Sequence, residues 1–128
     1  MPSVRVLVVD DDRSCSSVVS RVLAAQGYQV DIADNGVSAL ELIRQHPYDL
    51  AVVDYQMPGM NGVELFRLAR HEQPGLCGVF LTGFANINTV FPAIDAGIER
   101  VLAKPLDSVE LVRLAEELTG SNPHNAES

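Results

Sequence analysis

Apolar residues follow two alternating patterns along the chain. Short runs rich in Val, Ile and Leu are separated by longer stretches in which apolar residues recur every three or four positions. The short runs are typical of buried strands, and the longer stretches are typical of amphipathic helices. Strands are predicted at residues 4–9, 28–33, 50–54, 78–82 and 101–103. Helices are predicted at residues 14–26, 37–45 and 62–70, somewhere between residues 88 and 96, and after a cap at Asp107 or Ser108.

Regular alternation of strand and helix predicts an α/β fold. It implies a parallel sheet with helices on both faces, joined by right-handed crossovers. The length, 128 residues, suits one domain, predicted at residues 1–120, and residues 121–128 form a polar C-terminal tail that we expect to be disordered. The first helix is predicted to bury Val18, Val22 and Ala25, with Val19 and Leu23 beside them.

Four of the five predicted strands end in a charged or hydroxyl side chain. The residues are Asp10 and Asp11 after the first strand, Asp54 at the end of the third, Thr82 at the end of the fourth and Lys104 after the fifth. In a parallel sheet these ends lie at one edge, which is where open α/β sheets keep their sites. The alternative is that the acids only cap helices, a role that suits Asp12 and Ser14 better. Asp54 is a poor cap because Pro58 and Gly59 delay the next helix.

Three carboxylates at one sheet edge predict a site for a hard cation. Oxygen ligands completed by water suit Mg²⁺. A carboxylate that stays ionised beside Mg²⁺ and Lys104 can attack phosphorus, so Asp54 is the candidate nucleophile. Lys104 and the Thr82 hydroxyl would share the negative charge of the resulting acyl phosphate. The alternative for Lys104 is a solvated charge at a strand end.

Composition excludes several classes of function. The formal net charge is −8, which argues against a nucleic-acid surface, since such surfaces are basic. No apolar run is long enough for a membrane span, and the first residues leave no room for a signal peptide. Cys15 and Cys77 lack the spacing of a metal or redox motif, so we expect buried thiols and a cytoplasmic location. The three histidines are too scattered for a zinc site.

Taken together, these residues resemble a response-regulator receiver domain of two-component signalling. The resemblance covers residues 4 to 119 and rests on four pieces: the run from Val8 to Asp11, Asp54 with the segment from Met57 to Gly62, Thr82, and Lys104 with Pro105. It implies a flavodoxin-like (βα)5 fold with strand order 2-1-3-4-5.

The resemblance also assigns roles. It implies that Asp54 is the phosphoacceptor, Thr82 the switch hydroxyl and Lys104 the cation that contacts the phosphoryl group. Asp10, Asp11, Asp54 and the backbone carbonyl of Gln56 would bind Mg²⁺. The donor would be a phosphohistidine on a sensor histidine kinase or a histidine phosphotransfer protein. The output would be a change in the face formed by the fourth helix, the fifth strand and the last helix, which is also a candidate homodimer surface.

Two positions depart from the usual family pattern. Gly83 follows Thr82 where the family usually has Ala, and Val101 stands three residues before the lysine, where the family usually has Tyr or Phe. Phe84 and Phe91 are the nearby aromatic residues that could take the aromatic role.

Three classes of function remain to be compared. The first is a signalling receiver that is not an enzyme beyond its own phosphorylation and dephosphorylation. It would either stand alone or precede an effector domain. The second is a phosphatase similar to haloacid dehalogenases, but those enzymes place an Asp two residues after the nucleophile, where this chain has Gln56. The third is a scaffold that keeps only the fold.

Overall fold

Five parallel strands form one sheet in the order β2-β1-β3-β4-β5 in the computed structural model. The structure describes residues 4–55, 62–82, 100–103 and 106–120. The strands are β1 (Arg5–Val9), β2 (Gln29–Ala33), β3 (Leu50–Asp54), β4 (Cys77–Thr82) and β5 (Arg100–Ala103). The predicted α/β class and strand order are therefore confirmed.

Four helices flank the sheet within the described ranges. They are α1 (Arg13–Ala24), α2 (Gly36–Gln45), α3 (Gly62–Glu72) and a C-terminal helix (Ser108–Thr119). Side chains of the residues before them cap three of these helices: Asp12 accepts from Ser14 N–H, Asn35 from Ser38 N–H, and Asp107 from Val109 and Glu110 N–H. Such caps satisfy backbone donors that the first helical turn leaves without partners. The fourth helix predicted at residues 88–96 lies outside the described residues, as do Phe84 and Phe91.

The sheet separates two hydrophobic clusters because successive side chains of a strand point to opposite faces. One cluster packs α2 and α3 on the sheet and includes Val53, Phe66 and Phe80. The other packs α1 and the C-terminal helix and includes Val52 and Leu111. Every residue of β3 is buried, so the central strand carries Asp54 on a rigid support.

The face that α1 buries differs from the predicted one. Val19 and Leu23 are fully buried in the second cluster. Val18 is 40% exposed and Ala25 is exposed. The helix is oriented so that Val19 and Leu23 pack against the sheet. The apolar stripe of this helix is wide, so the spacing of apolar residues alone did not identify which of them are buried.

A polar network lies at the end of the sheet where the strands begin, opposite to the end that carries Asp54. The Tyr48 hydroxyl donates to Asp31 Oδ2 at 2.6 Å, and Arg5 Nη2 donates to the same oxygen at 3.1 Å. The Arg5 guanidinium also lies 5.5 Å from the centre of the Tyr48 ring. The Tyr48 hydrogen bond is the largest cause of a pKa of Asp31 below the ordinary 3.8, with burial opposing it and Arg5 assisting it.

This network predicts a pH-dependent effect of Tyr48→Phe. Because the folded-state pKa of Asp31 is depressed, its stabilisation is present above the unfolded-state value and is lost as pH falls through the folded-state value. We expect Tyr48→Phe to lower the free energy of unfolding by about 1 kcal/mol at neutral pH. Urea unfolding at a series of pH values from 7 downwards should show that this difference becomes smaller below pH 3.8, the ordinary pKa of the Asp31 carboxyl.

The control for this prediction is the same substitution in an Asp31→Asn background. The neutral amide does not titrate, so the cost of Tyr48→Phe should then be independent of pH. A cost that keeps its pH dependence in the Asp31→Asn background would show that another group is responsible.

Among the described helices, none combines the length and the apolar character needed to cross a membrane.

Candidate functional site

Three carboxylates meet at the carboxyl edge of the sheet. Oxygen atoms of Asp10, Asp11 and Asp54 all lie within 4.8 Å of one another. Asp10 is 1% exposed and Asp54 is 7% exposed, whereas Asp11 is exposed. Two carboxylates of the cluster are therefore buried at the ends of two adjacent strands, and the third is exposed to solvent.

Asp10 is held in place by the end of β2 and by the segment before α1. Its backbone N–H donates to Ala33 O at 3.1 Å, which ties it to the end of β2. Its Oδ1 accepts from the Asp12 N–H at 2.9 Å, and Asp12 in turn caps α1 through Ser14. The capping role thus belongs to Asp12, and Asp10 and Asp11 are left to the cluster.

The backbone next to Asp54 is fixed by two hydrogen bonds of Tyr55, the residue that follows it. The Tyr55 N–H donates to Leu81 O at 2.8 Å, and the Gly62 N–H donates to Tyr55 O at 3.0 Å. The first bond extends the pairing of β3 with β4, in which Asp54 is opposite Leu81. The second bond brings the first residue of α3 against the strand end, so two elements fix the backbone at Asp54.

Gly62 makes the approach of α3 to Asp54 possible. A Cβ at this position would lie 2.7 Å from the Asp54 carbonyl oxygen and 3.2 Å from Tyr55 Cα. Backbone atoms cannot move aside as the end of a flexible side chain can. Only glycine allows this contact without a shift of the strand end or the helix.

Thr82 ends β4, the strand next to Asp54, and is 3% exposed. It is opposite Ala103 of β5, the residue before Lys104 in the sequence. Lys104 and Gln56 lie outside the described residues. Of the six predicted site residues, the structure therefore places Asp10, Asp11, Asp54 and Thr82 at the same edge of the sheet.

The charge of the cluster suits a divalent cation. Two carboxylates within 4.8 Å of each other repel by at least about 3 kcal/mol at the effective dielectric of a protein surface. An ion bound between them at the Mg²⁺–oxygen distance of about 2.1 Å would offset this repulsion, so the three residues fit one such ion. Carboxylates are the ligand type that Mg²⁺ prefers, and the exposed side of the cluster leaves access for water to complete the coordination.

Two residues of the site were missed by sequence reasoning. Gly62 was predicted as a helix start and as part of the segment from Met57 to Gly62, but not as a close contact of Asp54, and Tyr55 received no role. A glycine directly before an amphipathic helix that follows a strand-end acid is a weak signal of close backbone approach. Nothing local to Tyr55 indicates its contacts with Leu81 and Phe80, because these are formed only when β3 and β4 pair.

The fold and the acid cluster define a class of protein: a flavodoxin-like doubly wound domain with an acidic site at the carboxyl edge of its sheet. The family model for the response regulator receiver domain matches residues 6–116. The chain belongs to this family. Residues 6–116 are therefore a receiver domain of two-component signalling, and the acidic triad is typical of the Mg²⁺ site of receiver domains.

Similar proteins agree with this assignment. The chain is 36% identical over 125 residues to the response regulator MprA of Mycobacterium bovis, an alignment that covers 97% of this chain and 54% of that protein. A CheY-like receiver domain structure from Methanospirillum hungatei superposes with a TM-score of 0.88 at 28% identity, over 94% of this chain and 96% of that one.

A third similar protein is a response regulator of Burkholderia pseudomallei, whose crystal structure contains a phosphorylated aspartic acid, a calcium ion and citrate. It superposes with a TM-score of 0.79 at 27% identity, over 94% of this chain and 76% of that one. The chain spans about half or less of the length of the curated relatives it matches. Membership of the family implies a histidine kinase as the partner.

Proposed function

We propose that the chain is a phosphorylation-dependent receiver in which Asp54 accepts a phosphoryl group from a phosphohistidine. The observation that carries this proposal is the meeting of a buried Asp54 with Asp10 and Asp11 on a neighbouring strand end. A cap or a turn residue has no need of two further carboxylates within 4.8 Å. The structure of the Burkholderia relative, which has a phosphorylated aspartic acid and a bound calcium ion, gives support by similarity.

The reaction follows from the chemistry of a carboxylate nucleophile. An Asp54 carboxylate oxygen attacks phosphorus, a P–O bond forms, and the P–N bond to the donor imidazole breaks, so that the imidazole leaves with the electron pair. Hydrolysis later returns the carboxylate and releases inorganic phosphate. When bound by Asp10, Asp11, Asp54 and the Gln56 carbonyl, Mg²⁺ would offset the negative charge on the transferring group. Thr82 and Lys104 would bind the oxygens of the acyl phosphate.

The donor would be a sensor histidine kinase or a histidine phosphotransfer protein. The output would be a change in the face that includes β5 and the C-terminal helix, which would bind an effector or a second copy of the chain. Cys15 and Cys77 are half-buried rather than buried as predicted, and they form no disulfide. The absence of a disulfide suits the reducing cytoplasm that we propose as the location. With a net charge of −8, we propose no nucleic-acid contact by this chain.

Labelling with a small phosphodonor tests this function. We expect incubation with acetyl phosphate and Mg²⁺ to add one phosphoryl group to the chain, measured by intact mass. The same incubation with excess EDTA should give no addition. A chain that stays unlabelled with Mg²⁺ over repeated donor additions would overturn the proposal.

Asp11→Ala tests the role of the acid cluster separately from the nucleophile. Loss of a charged ligand should weaken Mg²⁺ binding by at least about tenfold, since even changes outside the ligand set cost that much. The metal-free domain should become more stable, because one of three repelling carboxylates is removed. Calorimetric Mg²⁺ titration and thermal unfolding in EDTA measure the two effects.

The matched control for Asp11→Ala is Asp34→Ala, which removes an exposed acid near the end of β2. It should leave Mg²⁺ affinity within about twofold, since Asp34 is not in the cluster. Equal Mg²⁺ affinity of the Asp11→Ala variant and the wild type would contradict the ligand role.

A further inference from the structure

Tyr55 connects Asp54 to the strand that carries Thr82. Its N–H donates to Leu81 O at 2.8 Å, directly before Thr82. Its ring packs on Phe80, two residues before Thr82, with the ring centres 5.8 Å apart. Backbone and side chain of one residue therefore bind two successive positions of β4.

The Phe80 ring that Tyr55 contacts is itself packed in the core. Phe80 is fully buried, and Phe66 of α3 also packs on it with ring centres 6.4 Å apart. Phe80 is also opposite Val53 of β3 and Val101 of β5. Val101 and Tyr55 are both half-buried against the same core cluster. Within the described residues, the Tyr55 ring thus packs against the buried core of the domain.

We propose that Tyr55 is a positioning residue for phosphoryl transfer, because its ring holds the ends of β3 and β4 in the alignment that brings Thr82 to the phosphoryl group on Asp54. The inference rests on the proposed function of Asp54. Reactions of this kind depend on geometry, and a misplacement of about 1 Å can cost about a hundredfold in rate. Tyr55 points to the core face while Asp54 lies in the acid cluster, so its effect on the reaction passes through the backbone.

The test compares Tyr55→Leu, Tyr55→Phe and Tyr28→Leu. Each is measured for the acetyl phosphate labelling rate at saturating donor and Mg²⁺ and for Mg²⁺ affinity by calorimetry. Tyr28→Leu is the matched control because Tyr28 is a more buried tyrosine, 8% exposed, that packs in the other core cluster before β2. A loss of general stability would affect it at least as much as Tyr55→Leu.

We expect Tyr55→Leu to lower the maximal labelling rate by on the order of tenfold. Mg²⁺ affinity should change less than about threefold, since two of the three carboxylates, Asp10 and Asp11, follow β1 and not β3. Tyr55→Phe keeps the ring and should restore the wild-type rate. Tyr28→Leu should lower the melting temperature and leave the rate unchanged.

Three results would overturn the inference: a wild-type rate in Tyr55→Leu, an equal slowing in Tyr28→Leu, or a Tyr55→Phe variant as slow as Tyr55→Leu. In each of these, labelling of the wild type would leave the proposed function standing. Absence of labelling in the wild type itself would overturn the proposed function, and this inference with it.

Discussion

Asp54→Asn is expected to abolish labelling by acetyl phosphate. The amide is nearly the same size as the carboxylate but is not a nucleophile, so the labelling rate should fall by at least about three orders of magnitude, as after the loss of other catalytic nucleophiles. Intact mass after incubation with Mg²⁺ measures this directly. The fold should be retained, because the substitution also removes one charge from a repelling cluster.

The control for the nucleophile is Asp34→Asn. Asp34 follows β2 at the same edge of the sheet but is exposed and lies outside the acid cluster. The Asp34→Asn variant should be labelled at the wild-type rate. A stable phosphoryl group on the Asp54→Asn variant at wild-type yield would show that another residue is the acceptor.

Gly62→Ala is expected to damage both stability and labelling. Helix propensity alone predicts that Ala stabilises a helix by up to about 1 kcal/mol relative to Gly. Here the added Cβ would lie 2.7 Å from the Asp54 carbonyl oxygen, and the forced shift should cost about 1–3 kcal/mol. Because the shift falls on the backbone of Asp54, the proposed nucleophile, the labelling rate should fall by about tenfold or more.

Gly75→Ala provides the matched control. A Cβ on Gly75 would meet nothing within 4 Å, so the free energy of unfolding should change by less than about 0.5 kcal/mol and labelling should be normal. Urea unfolding and the acetyl phosphate assay measure both variants. A Gly62→Ala variant that is as stable and as active as Gly75→Ala would show that α3 does not constrain Asp54.

Local patterns in the sequence determined the elements and the residues at their ends. The predicted third strand, residues 50–54, matches β3, and the third helix begins at Gly62 as predicted, though it extends to Glu72 rather than residue 70. Periodicity and caps are properties of neighbouring residues, so they can be identified before the chain folds. The same patterns identified Asp10, Asp11, Asp54 and Thr82, since each follows or ends a strand.

Tertiary structure alone decided the contacts between residues far apart in sequence. Packing against the sheet decided that α1 buries Val19 rather than Val18. The Gln73 side chain accepts from Tyr48 N–H and donates to Ile43 and His46 carbonyls, 25 to 30 residues away.

The close approach of Gly62 to Asp54 and the packing of Tyr55 on Phe80 have the same origin. These contacts depend on how strands pair and helices dock, and local patterns give at most the weak signal of the glycine at the start of α3. The sequence by itself therefore determined which groups could react, and the tertiary structure determined which residues hold them in place.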